Sequence, residues 1–394
     1  MITRLFNPDV IEFIQENLAK DPYDIALKAS KHPELPIRDI ALQIESRQKA
    51  AKKLPEWIQN NRLIFPPPHD LEQASTEITA TYKATLYRGN TLLDITGGTG
   101  IDAYYLGKNF KNTVYVEPSN DLCTLASHNF KELGSNIEVH NLSAEQYLNT
   151  STDSFSLIYV DPSRRSNTNK RLVQIDEYQP NVLSLLPKLL AKGTLILVKT
   201  SPLVDIKQAI SQLKFVLKVI CLSVKNEMKE LLFELKTGQH QIPIIHAVNI
   251  KKDAIDTVSA SFDDEKNAEI KFDKPLQYIY EPNTAIRKAG FFKLIALRYG
   301  LKKLDWNTHL YTSNEVIEHF PGRILQVKNR IKLDKKTIKK TYPTGIVNVI
   351  SKNFPLSANE IKKKYALRDG GDDFLIFCNI EGLRNHALQC EGNI

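Results

Sequence analysis

"LLDITGGTGIDA", residues 92–103, decides how the rest of the chain is read. An apolar run ends in Asp94, passes Gly97, Gly98 and Gly100, and resumes with a helical pattern. That order predicts a strand, a tight turn and a helix. Glycines allow left-handed torsions and a close approach of backbone to ligand, so a cofactor is expected at this turn. Gly98-x-Gly100-x-x-Ala103 also satisfies a loose dinucleotide fingerprint, and the turn alone does not choose between cofactors.

Working outward, residues 75–236 alternate between strand-like and helical patterns. Strands are expected at 91–95, 113–117, 137–140, 155–160, 194–199, 215–223 and 230–235, with helices between them. Such alternation predicts a mostly parallel sheet covered on both faces. Only the polar link "VKNEMK" (224–229) separates the last two strands, which predicts an antiparallel hairpin at the sheet edge. Before the sheet, "DVIEFIQENLAK" (9–20) and "RDIALQIESRQKA" (38–50) have helical spacing, and "FPPPHD" (65–70) reads as an extended connector. Beyond residue 240, "NTAIRKAGFFKLIALRYG" (283–300) reads as one helix capped by Gly300. Ser357-x-x-Glu360 is a capping box, and residues 369–390 read as two strands.

The 394 residues, 42% of them apolar, suffice for the cores of two to four domains. The opening "MITRLFNPDV" lacks the apolar stretch of a signal peptide, and no run approaches the ~20 residues that cross a bilayer. A cytoplasmic protein without a membrane partner is expected. The four cysteines are far apart and form no CxxC pair, so neither a metal site nor a disulfide framework is expected. Of the net charge of +8, residues 321–394 carry 14 Lys and Arg against 7 Asp and Glu. That asymmetry suits a polyanion-facing module or a solvated basic surface.

Asp94 favours S-adenosylmethionine over a dinucleotide. An acid at the tip of the first strand can meet the ammonium of a methionine moiety but sits badly beside a pyrophosphate. Glu117, at the end of the second strand, can accept both ribose hydroxyls of either cofactor. With "STEITATYKA", "DPSRR", "VKTSP", "KELLFEL", "YEPNTAIRKAGFFKLIA" and "NFPLSANEIKKKYALRDGGDDFLIF", the chain resembles class I S-adenosylmethionine-dependent methyltransferases that carry a C-terminal THUMP-like domain.

The resemblance implies an α/β fold: a Rossmann-like, seven-stranded sheet of order 3-2-1-4-5-7-6, an N-terminal helical region and a C-terminal α+β THUMP-like domain. The expected divisions are 1–70 (helical), 71–237 (methyltransferase), 238–320 (a connecting ferredoxin-like α+β region) and 321–394 (THUMP-like). It implies a cofactor site at Asp94, Thr96, Gly97, Gly98, Gly100, Glu117, Ser143 and Asp161. Thr96 replaces the first glycine of the usual turn, which tightens access. Ser143 stands where many relatives place an acid facing the adenine amine, with Glu145 as a substitute.

"LIYVDPSRRS" (157–166) puts Asp161 beyond the fourth strand, at the edge where such sheets hold ligands. Lys199 ends the fifth strand, Glu230 begins the reversed seventh, and Lys83 lies on a helix expected over the cofactor. The order Lys83, Asp161, Lys199, Glu230 is similar to the tetrad of RNA ribose 2′-O-methyltransferases. There a lysine with a lowered pKa removes the hydroxyl proton. The competing reading is base N-methylation, with Asp161 accepting from an amine. Its stacking ring must then come from elsewhere, since Ser163 and Arg164 follow Pro162. Arg164 and Arg165 suit substrate phosphates or pair with nearby acids. Lys362 and Lys363, with Arg323, Lys328 and the lysines of 335–340, are the expected phosphate-facing groups. Transfer to RNA (tRNA or rRNA) is the leading expectation. A non-catalytic RNA-binding role, transfer to protein or small molecules, and a dehydrogenase are the alternatives.

Overall fold

The computed structural model describes residues 2–28, 32–164, 175–238, 241–380 and 382–392. The chain divides into two compact units, Met1–Val219 with Lys229–Ile242, and Ile220–Met228 with Pro243–Ile394.

In the first unit, α1 (Pro8–Glu16), α2 (Pro22–Ala26), α3 (Ile37–Lys53) and α4 (Pro68–Gln73) precede the sheet. Its strands are β1 (Gly89–Asp94), β2 (Phe110–Val116), β3 (Ile137–His140), β4 (Leu157–Val160), β5 (Ile196–Thr200), β6 (Val216–Val224) and β7 (Glu227–Leu235). They lie in the order β3-β2-β1-β4-β5-β7-β6, as expected. β1 is parallel to β2 and β4, whereas β7 runs antiparallel to β5. Every residue of β4 and β5 is buried, the mark of strands covered on both faces. The covering helices include α5 (Glu77–Leu86), α6 (Ile101–Gly107), α7 (Asn120–Glu132), α8 (Ala144–Thr150), α9 (Val182–Lys192) and α10 (Ile206–Leu213).

The final hairpin differs from expectation in two respects. Lys225 and Asn226 take φ of 49° and 64°, so two residues make the turn and Glu227–Lys229 lengthen the strand. Nor does the hairpin end its sheet. Its tip belongs to the second unit, where β8 (Ile244–Ile250) adjoins β6 and accepts the hydroxyl of Ser223 at the Val248 carbonyl, 3.2 Å away.

The N-terminal helices pack onto the sheet's own helices. Val10, Ile14, Ile40 and Ile44 share a core with Leu125 of α7. Residues 63–65 are fastened rather than merely stiffened. Arg47, 2% exposed, donates through Nη2 to the carbonyls of Asn61 (2.6 Å) and Leu63 (2.7 Å) and lies over the Phe65 ring. Asn129 bonds both the N–H and the carbonyl of Ile64. Pro68 starts α4 instead of continuing an extended connector, since a first-turn residue needs no amide donor.

In the second unit, β8 pairs antiparallel with β9 (Ile255–Ala260). After α11 (Phe262–Asn267) comes a seven-stranded sheet of β10 (Tyr278–Pro282), β11 (Lys302–Lys303), β12 (Tyr311–Ser313), β13 (Gly322–Ile331), β14 (Asn348–Lys352), β15 (Asp373–Ile380) and β16 (Leu383–Glu391), ordered β11-β12-β10-β13-β16-β15-β14. The single helix expected at 283–300 is two, α12 (Thr284–Ala289) and α13 (Leu294–Arg298). Gly290 takes φ 78° and caps the first, which turns Phe291 fully into the core. α14 (Lys335–Thr341) and α15 (Ala358–Tyr365) complete the unit, the latter opened by the expected Ser357–Glu360 capping box. Among the described residues, no helix is long and apolar enough to cross a membrane.

Arg47→Met keeps the bulk of the side chain and strands carbonyls that it now satisfies. A loss of about 3 kcal/mol is expected, read as a lower urea midpoint at unchanged m-value.

Candidate active site

The carboxyl ends of β1, β2, β4 and β5 open onto one cavity of about 1190 Å³, lined among others by Asp94, Gly98, Glu117, Asp161 and Lys199. The glycine turn is shaped by its own packing. A Cβ on Gly97 would lie 2.2 Å from the Tyr115 ring, and one on Gly100 would lie 2.9 Å from Phe130. Gly98 and Gly100 take φ of 53° and 77°. Gly97 thus makes room for the Tyr115 ring, and Gly98 and Gly100 adopt torsions that favour glycine. The Tyr115 hydroxyl donates to the Gly98 carbonyl at 2.7 Å and fixes the turn against β2.

Thr96 does more than narrow the entrance. Its hydroxyl accepts the Asp161 N–H at 2.6 Å, which ties the turn to the end of β4. Asp94, 1% exposed, accepts the Thr96 N–H at 3.1 Å. Burial, then repulsion from Asp102, pushes its pKa well above the ordinary carboxylate range. Glu117 accepts the N–H groups of Gly98 and Ser119, both at 2.9 Å. Ser143 lines the cavity, but its hydroxyl caps α8 by accepting the Gln146 N–H at 3.2 Å. Glu145 lines the cavity beside it.

Behind the cavity, the four residues of the expected tetrad converge. Lys83, fully buried, donates to Ser75 Oγ (2.9 Å) and Glu230 (2.9 Å) and pairs with Asp102 (3.0 Å). Lys199 donates to Asp161 (2.6 Å) and Ser75 Oγ (3.0 Å), with Asp102 at 3.8 Å and Glu230 at 3.9 Å. The hydroxyls of Ser75 and Tyr159 each donate to Asp102 at 2.7 Å. Asp161 alone among the three acids turns outward, its side chain 33% exposed against 9% for Asp102 and 3% for Glu230.

For Lys199 this arrangement opposes the expectation of a lowered pKa. Burial alone would lower that of Lys199, but Asp161, Asp102 and Glu230 outweigh it and hold the pKa well above the ordinary lysine value. Asp102 answers symmetrically: burial would raise its pKa, and Lys83 and Lys199 keep it below the usual carboxylate range.

Sequence reading missed Asp102, Ser75 and Tyr159. Asp102 has a local signal, an acid in the first turn of a helix, but its partners come from Ser75 ahead of α5, from α5 itself, from β4 and from β5, and only the fold assembles them.

The segment after Asp161 forms a ribbon, Ser163–Arg164 pairing antiparallel with Tyr178–Gln179. It brings Tyr178, 2% exposed, to the cavity lining. Arg164 lies on this ribbon; Arg165 lies outside the described residues. In the second unit, Lys362 is engaged with Asp369 at 2.7 Å, whereas Lys363 is exposed.

A parallel sheet with a reversed final strand, in the order seen here, is the class I methyltransferase fold, joined in this chain to C-terminal ferredoxin-like and THUMP-like domains. Residues 278–321 match the family model of a ferredoxin-like domain, and 322–391 that of a THUMP domain-like family. Over 98% of each chain, the protein is similar to a candidate methyltransferase from Porphyromonas gingivalis W83, at 29% identity and a TM-score of 0.87. A candidate methyltransferase from Escherichia coli is 15% identical over 45% of this chain and 92% of that one, with a TM-score of 0.33. The Pyrococcus abyssi tRNA (uracil-54, C5)-methyltransferase, solved with S-adenosyl-L-homocysteine, is 16% identical over 44% and 40%, with a TM-score of 0.30. No curated protein matches the chain.

Asp94 yields a pH-dependent prediction. Its folded pKa is raised, so ionisation is penalised in the folded state once the pH exceeds the unfolded value of about 4. Asp94→Asn keeps the acceptor for Thr96 and removes the penalty. The ligand-free variant should melt above the native protein at pH 8, and the gain should shrink towards pH 5. Equal gains at both pH values would contradict a protonated Asp94.

Proposed function

We propose that the chain is an S-adenosylmethionine-dependent methyltransferase that modifies RNA, of the tRNA or rRNA class, at a base nitrogen. The observation that carries this reading is the continuity of the cavity. Asp94, Glu117 and the outward carboxylate of Asp161 all line it. Its volume of about 1190 Å³ exceeds the roughly 300–1,000 Å³ of a pocket for a single ligand.

The donor set fits the cofactor. Asp94, whose desolvated carboxyl gains most from a cation, suits the ammonium, and Glu117 suits the ribose hydroxyls. Bound there, S-adenosylmethionine supplies a methyl group activated on a sulfonium. Asp161 would accept a hydrogen bond from the acceptor's N–H, orient its lone pair and take the proton that the nitrogen releases as it gains the methyl group, while Lys199 holds one carboxylate oxygen of Asp161. Lys83 and Glu230 position Lys199. A ribose hydroxyl is a weaker nucleophile and needs a strong base. Both lysines here are donors to buried acceptors, which disfavours either as that base and supports a nitrogen acceptor.

The test is transfer of labelled methyl into total RNA from a strain lacking the gene, followed by nucleoside mass spectrometry. The native protein should label a methylated base. Asp161→Ala should lose about 100-fold or more, and Lys199→Met about 10-fold or more. Label in a ribose-methylated nucleoside would return the lysine mechanism. Label in protein or small molecules alone would move the substrate, and no label despite cofactor binding would leave a binding protein. S-adenosylhomocysteine should raise the Tm of the native protein, and Asp94→Asn should abolish most of that shift.

A further inference from the structure

Some basic residues of the second unit are paired one to one with an acid. Lys328 pairs with Glu391 at 2.6 Å and Lys362 with Asp369 at 2.7 Å. Around Glu281, at the end of β10, the balance is different. Lys352 reaches its carboxylate at 2.8 Å, Arg323 at 3.8 Å and Arg287 at 4.0 Å. Among the described residues these three cations share that one acid, which leaves two positive charges uncompensated.

The backbone enforces this gathering. Glu281 and Arg323 are cross-strand partners, and a Cβ on Gly322 would lie 2.2 Å from the Glu281 carbonyl oxygen. The Arg323 guanidinium rests over the Phe374 ring at 4.8 Å, which restrains its plane. The side chains of Arg323, Arg287 and Lys352 are 42%, 31% and 20% exposed, so a ligand can reach them, while that of Glu281 is 10% exposed.

Two further observations point to an anion. Asn283 is 3% exposed, and its Nδ2 has no hydrogen-bond partner among the described residues; nor does Arg287 Nε, on the same helical face one turn on. Spare donors of this kind are rare in folded proteins. Nearby, His309 stacks on Phe292, and its pKa falls to about 4 through burial and then through Lys303, Lys352 and Arg287. The field there is positive.

We propose that Arg287, Arg323 and Lys352, held together by Glu281, form a binding site for a phosphodiester of the RNA substrate. Glu281 keeps the three cations in place when no phosphate is present, and the planar guanidinium of Arg323 offers paired donors to phosphate oxygens. The site positions the RNA backbone and reads no sequence. This inference rests on the RNA reading above.

The test uses the full-length protein and end-labelled, unfractionated bacterial tRNA, with anisotropy measured from 50 to 300 mM KCl. Arg323→Gln should reduce the slope of log affinity against log salt by about 1. Lys362→Gln, which removes an already paired charge, should leave that slope unchanged. Both variants should keep the native Tm and its rise with S-adenosylhomocysteine. Unchanged slope in Arg323→Gln, or an equal loss in Lys362→Gln, would overturn the site while the RNA reading stands. Absence of tRNA binding by the native protein at every salt concentration would remove both. A thermal shift with pyrophosphate that Arg323→Gln abolishes would assign the site to a free phosphate ligand and overturn the RNA assignment.

Discussion

Two ammonium groups, Lys83 and Lys199, buried among Asp102, Asp161 and Glu230 and joined through Ser75 Oγ, are the interaction on which the cleft depends. Each of these charges alone would cost several kcal/mol to bury. Together they tie α5, α6, β4, β5 and β7 to one another, elements far apart in the chain. Removing any one member leaves an uncompensated charge in a low-dielectric setting, so the constraint is collective. The hydrogens of both lysines are committed to carboxylates and Ser75, and Asp161 is the acid whose side chain is most exposed.

The glycine turn depends on the same geometry at one remove. Tyr115 presses on Gly97 and holds the Gly98 carbonyl, and Thr96 holds the first amide after β4. Strand ends β1, β2 and β4 are thereby locked in register at the cavity floor. A turn built this way has its shape before a ligand arrives, so little conformational entropy remains to be lost on binding.

The parts legible in sequence were those with local physical signals. Alternating strands and helices gave the sheet, three glycines gave the turn, and Ser357 with Glu360 gave a helix start. The order of four charged residues also placed Lys83, Asp161, Lys199 and Glu230 at one edge, because strand ends in a doubly wound sheet must share it. What escaped was contact between distant residues. Asp102 carries no mark of pairing with two lysines, and the sign of the Lys199 shift depends on how many acids surround it, which spacing does not reveal. The break at Gly290 did have a signal, a glycine inside an apolar helical pattern, but periodicity across 283–300 outweighed it. Tyr178 was out of reach for a different reason: it meets the Asp161 segment through a pairing of only two residues on each side, Ser163–Arg164 with Tyr178–Gln179.

Composition does not locate the excess of seven positive charges over residues 321–394. Pairing redistributes that excess. A lysine matched with an aspartate presents almost no net field a few ångströms away, and salt screens what is left. Lys362 therefore contributes less than its place in a lysine run implies, while Arg287, outside the basic segment altogether, sits where compensation fails. The quantity that marks a polyanion contact is local charge left over after ion pairing, held by rigid backbone within reach of solvent. Around Glu281 the cross-strand register supplies the rigidity and the three-to-one ratio supplies the surplus.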